Sequence, residues 1–69
     1  MKPRKNDLYE TNDGAVCYLG KVENVHTGKV MAILKIFKHE KTVVMDMVDF
    51  LNNIETGTYV SANVEGEGE

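Results

Sequence analysis

The hydrophobic period of this chain changes at Asp46, within "KTVVMDMVDFLNNIE" (41–55). Before Asp46, Val43 and Met45 alternate with Val44. That spacing suits a strand, and the β-branched run "TVV" loses side-chain freedom in a helix. After Asp46, Met47, Phe50, Leu51 and Ile54 recur at i, i+3, i+4 and i+7, which is helical spacing. Asp46 is a good N-cap, Asp49 favours the positive end of a helix, and "NN" with Gly57 supplies the stop. The stretch therefore reads as a strand at 42–45 and a helix of about two turns at 47–53. The competing reading is one helix across 42–54, capped by Thr42, with Val44, Met47, Val48 and Leu51 as its stripe.

The rest of the chain reads mostly as β-structure. "AVCYLGKVENV" (15–25) is a strand interrupted at Gly20, where a bulge would change the face that Val22 joins. "ETNDG" (10–14) and "HTGK" (26–29) carry turn chemistry. In "KVMAILKIFK" (29–38), Val30, Ala32, Leu34 and Ile36 form an apolar face expected in the core. The opposite face alternates Lys29, Met31, Ile33, Lys35 and Phe37. Cover by another element is the favoured reading of that mixed face; a binding surface is the alternative. "KHEK" (38–41) breaks the run, and "TYVSANV" (58–64) is a last strand with Thr58, Val60, Ala62 and Val64 inward. The organisation expected is a flexible basic arm at 1–7, one globular domain at 8–64 and a disordered acidic tail, "EGEGE", at 65–69.

A chain of 69 residues makes one domain with a marginal core, burying about 60% of its unfolded surface. Folds this small usually need a staple. A single cysteine, Cys17, excludes an internal disulfide; Cys17, His26 and His39 fall short of a closed zinc site. A partner chain, including a second copy, is the staple that remains, with a well-packed monomer as the alternative. No apolar run approaches the ~20 residues of a membrane span, and "MKPRKNDLYE" has no signal-peptide core. The expected location is the cytoplasm, in keeping with one unpaired cysteine.

Charge is divided unevenly. Residues 1–41 hold all eight bases against five acids, a balance of +3, whereas residues 42–69 hold six acids and no base. Pairing of the two halves in space would neutralise this, and a charged binding face would not.

No catalytic signature is present. Cys17 or Ser61 would have to pair with His26 or His39, and neither nucleophile lies in a recognisable motif. The glycines make no phosphate loop, and Asp46 with Asp49 lacks calcium-loop spacing. No enzyme activity, metal or cofactor is expected. Two binding surfaces are. One is acidic and apolar, with Met45, Asp46, Val48 and Asp49 as the contacts for a protein partner; completing the core is the competing role for these apolar residues. The other is a lysine-bearing hairpin with an aromatic, Lys29, Lys35, Phe37, Lys38 and Lys41, suited to nucleic acid. Its simpler role is a solvated edge that discourages strand pairing.

Gly14, Tyr18, the run Leu19-Gly20-Lys21-Val22, Thr27-Gly28-Lys29-Val30, a hairpin at 38–42 and "DFL" at 49–51 form a pattern over about residues 14–54. It resembles small stand-alone phage and bacterial proteins with SH3-like β-barrels. The resemblance implies a compact barrel acting as an adaptor, an inhibitor or a nucleic-acid accessory. The fold class expected is thus β-rich α+β: a small antiparallel sheet or SH3-like barrel of 4–5 strands with one short helix. The function expected is a non-enzymatic protein-interaction module, a phage accessory that modulates a host protein, with nucleic-acid binding as the alternative.

Overall fold

A computed structural model describes residues 3–62. Its elements are β1 (Leu8–Thr11), β2 (Gly14–Glu23), β3 (Val30–Ile36), β4 (Lys41–Asp46), α1 (Met47–Glu55) and β5 (Val60–Ser61). The strands form one antiparallel sheet in the order β4-β3-β2-β1-β5. The domain is therefore β-rich α+β. The sheet is open, with β4 and β5 at its edges, so of the two forms expected it takes that of a small antiparallel sheet and not that of a barrel.

The switch at Asp46 is where strand becomes helix, so the single helix over 42–54 does not form. Asp46 accepts a 2.9 Å hydrogen bond from the Val48 N–H through Oδ1, satisfying one of the helix's free donors. At the far end, Thr56 N donates to Asn52 O and Gly57 N to Ile54 O, with Gly57 at φ +85°. A left-handed residue there ends a helix at least cost when it is glycine.

α1 lies on one face of the sheet. Phe50 is fully buried there among three tyrosines. It stacks on Tyr18 at 5.3 Å and meets Tyr9 and Tyr59 edge-on at 5.6 and 5.9 Å. Val16, Ala32 and Leu34 complete the buried cluster, with Ile36, Val43, Met45, Met47 and Ile54 packed around it. Of the expected helical stripe, Leu51 falls at the margin and stays exposed.

Three features depart from the sequence reading. "LYET" forms β1, paired with β2 through the two-residue turn Asn12-Asp13; the turn expected at 10–14 is narrower than its sequence suggested. Arg4 and Asp7 close a turn just before it, and Asn6 N donates to Tyr18 O while Tyr18 N donates to Asp7 O. The last strand is two residues long, and its faces are reversed. Tyr59 packs on Phe50, and Val60 is exposed beside Glu10. The aromatic contact outweighs the burial of one valine. Asn63, Val64 and the acidic tail lie outside the described residues.

Candidate functional site

Residues directly opposite one another in an antiparallel sheet share a face. The pairs Tyr18–Leu34, Leu34–Val43 and Ala32–Met45 define the helix-bearing face. The pairs Leu8–Cys17, Ile33–Val44 and Val22–Met31 therefore define the other. α1 is the only helix among the described residues and all five strands lie in one sheet, so no element packs on this second face. Among the described residues, nothing supplies the cover expected for the Met31–Ile33 side of β3, because the helix that could do so is committed by Phe50 to the other side.

Gly20 enlarges that apolar face. The register between β2 and β3 shifts between Tyr18 and Gly20, so that Ile33 faces the bulge. Gly20 has φ +146°, a conformation that L side chains rarely adopt. With an unbroken alternation Val22 would lie beside Tyr18 on the helix side; the extra residue turns it to the second face. Val22 is 47% and Val44 57% exposed, whereas Leu8, Leu19, Met31 and Ile33 are half-buried. Cys17 is buried on the same side, opposite Leu8 on β1 and Lys35 on β3. Lys35 and Thr42 bound one end of β3 and β4, and Asp46 the other.

The proposed protein contacts separate. Met45 turns toward the core side, where Asn53 Nδ2 lies 3.9 Å from its sulfur. Asp46 holds the cap and a 3.6 Å ion pair from Oδ2 to Lys29 Nζ, which also joins the basic and acidic halves of the chain. Val48 and Asp49 are exposed on α1. The lysine cluster separates too. Lys29 and Lys35 flank β3 at opposite ends, six residues or ~20 Å apart. Lys35, Phe37, Lys38 and Lys41 gather at the β3–β4 turn. There the Lys35 ammonium lies 5.6 Å from the Phe37 ring centroid, an intramolecular cation–π contact.

His26 and His39 occupy turns at opposite ends of β3, and both are exposed. Among the described residues no three His, Cys, Asp or Glu side chains converge to hold a metal. None of the buried side-chain polar atoms there lacks a hydrogen-bond partner. No helix among them is long and apolar enough to cross a membrane. Compared with models of protein families, with curated proteins and with solved structures, the chain matches none.

Sequence reasoning reached only part of the apolar face. Met31 and Ile33 are visible as the second side of one strand, and Val44 as the residue that alternates with Val43 and Met45 on the next. Leu8 was missed because its strand is four residues long; the signal was "LYET" leading into the Asn-Asp-Gly turn.

Proposed function

We propose that the chain is a small non-enzymatic protein-interaction module that docks through the second face of its sheet. One observation carries this reading: the face opposite α1 bears apolar side chains on each of β1 to β4, among them Leu8, Val22, Ile33 and Val44, and has no covering element among the described residues. A one-layer antiparallel sheet ordinarily turns polar side chains to water on its free side. Here Leu8, Ile33 and Val44 stand where polar residues belong, and covering apolar surface gains roughly 25 cal/mol per Å². The likeness of residues 14–54 to small phage and bacterial adaptors and inhibitors supports the same reading, an accessory that modulates a host protein.

Capture of the tagged chain from its own cell, with and without nuclease, tests the assignment. Val44→Lys is expected to lose the partners that wild type retains, and Val48→Lys, on the exposed side of α1, to keep them. Equal recovery by both variants would remove the second face as the docking surface. Nucleic-acid binding is the second reading, favoured by the grouping of Lys35, Phe37, Lys38 and Lys41 at one turn. It predicts nuclease-sensitive capture that weakens steeply with salt and is lost in Lys38→Glu.

A further inference from the structure

Resting on the reading of the chain as a protein-interaction module, we propose the kind of partner it takes. It is an extended peptide segment that pairs with the outer edge of β4, antiparallel to it, and carries acidic residues at its C-terminal end.

The register of the sheet sets which way the backbone of β4 points. Phe37 N donates to Ala15 O, and Asn24 N to Lys29 O. These bonds turn Lys29 and Phe37 toward β2, and the alternation of an antiparallel ladder turns Met31, Ile33 and Lys35 the same way. The bulge at Gly20 lies in β2 and leaves the alternation of β3 unbroken. Ala32, Leu34 and Ile36 therefore bond to β4, at Met45, Val43 and Lys41. The N–H and C=O groups of Thr42 and Val44 point away from β3, and no strand lies beyond them among the described residues. Both residues are exposed.

Sheet edges ordinarily carry some protection against pairing. The opposite edge, β5, is two residues long. β4 is six residues long, contains no proline and keeps an unshifted register with β3. Its one base, Lys41, stands at its first position. Thr42 and Val44 are β-branched, a shape that packs well against a neighbouring strand.

Charge sets the direction and composition of the added strand. Lys35, Lys38 and Lys41 gather at the start of β4, and Glu40 is the one acid between them. None of these lysines is in an ion pair with a described carboxylate. At the other end of β4, Asp46 is already held by Lys29. A strand antiparallel to β4 brings its C-terminal end to the lysines, where acidic side chains and a terminal carboxylate are attracted. Antiparallel pairing is also the more stable geometry per residue. Backbone bonds at Thr42 and Val44 supply the affinity; a side chain opposite Val44 shares its face and extends the apolar surface there.

The probe is the peptide Thr-Val-Thr-Val-Glu-Glu with a free C-terminus, titrated into the full chain and followed by amide NMR. In the proposed register its valines stand opposite Thr42 and Val44, and its first glutamate opposite Lys41. The expected Kd is on the order of 100 µM. Hydrogen exchange at the Thr42 and Val44 amides should slow at least about tenfold at saturation. The peptide N-methylated at both valines lacks the donors that face β4 and should bind at least about tenfold more weakly. N-methylation at both threonines, whose amides point outward, should leave binding within about threefold. Lys38→Glu combined with Lys41→Glu should weaken binding several-fold and reduce its salt dependence. Both lysines are exposed, so the variant should fold, which circular dichroism checks. An absence of binding at about 1 mM peptide overturns the proposal. So does equal binding by the two methylated peptides, or exchange at Thr42 and Val44 that is already slow in the free chain. Partner capture by Val44→Lys is scored separately. A chain that ignores the peptide but still captures partners through Val44 loses the strand partner and keeps the docking face.

Discussion

Asp46 performs three tasks with one short side chain. Its backbone ends β4, one carboxylate oxygen caps α1, and the other meets Lys29. The magnitudes differ. Loss of an N-cap costs about 1 kcal/mol, whereas an exposed ion pair such as this one contributes roughly 0–1 kcal/mol. Asp46→Ala is therefore expected to lower the urea midpoint by an amount equivalent to about 1–2 kcal/mol. Asp46→Asn keeps the cap and should stay within about 0.5 kcal/mol of wild type. Equal losses in the two variants would transfer the importance from the cap to the charge. A charge reversal at Asp46 would disturb the fold and any partner together, so Val44 is the cleaner probe of binding.

The decisive element is β2, through its bulge. Strand alternation alone would assign Val22 to the core, and the residue inserted at Gly20 reverses every side chain beyond it. Lys21 and Glu23 then fall on the helix side of a hairpin that extends past the helix; residues 21–29 are all exposed. A Cβ at Gly20 would meet nothing within 4 Å, so any cost of Gly20→Ala comes from the backbone. We expect a loss of about 1–3 kcal/mol, against a total stability on the order of 3–10 kcal/mol for a domain of this length. Thermal unfolding followed by circular dichroism should show a melting temperature lower by several degrees or more. An unchanged melting temperature would mean that the bulge relocates at no cost.

For the whole molecule, one aromatic cluster ties α1 to β1, β2 and the segment that leads into β5, and it makes stability sensitive to alkali. Burial raises Tyr9, Tyr18 and Tyr59 above the ordinary tyrosine value of 10.0. Asp7 and Tyr18 add to the rise at Tyr9; at Tyr59 Asp13 adds to it and a hydrogen bond with Asn53 opposes it. The folded chain thus keeps these phenolic protons to higher pH than the unfolded chain. Below pH 10 both states are protonated and this source of stability is intact. Above pH 10 the unfolded chain releases its protons first, and stability falls by up to ~1.4 kcal/mol per pH unit for each tyrosine concerned. Urea midpoints measured between about pH 8 and pH 11, alongside tyrosinate absorbance, should hold steady and then drop. A flat profile through that window would place the tyrosines in contact with solvent.

Local rules in the sequence determined the elements of this protein: the break at Asp46, the helix stop at Gly57, the interruption at Gly20 and the core side of β3. Each follows from backbone sterics, capping or side-chain period within a few residues, so neighbours along the chain carry the information. Tertiary structure alone decided which face received the helix, that Tyr59 rather than Val60 turned inward, and that the sheet stayed open. Those outcomes depend on contacts between distant residues, such as Phe50 against Tyr9, Tyr18 and Tyr59. A single helix can bury only one side of a sheet. Once the tyrosines claimed it, the apolar residues of the other side, the Leu8–Cys17 and Ile33–Val44 pairs among them, had no cover from any described element, although each could equally have belonged to a core.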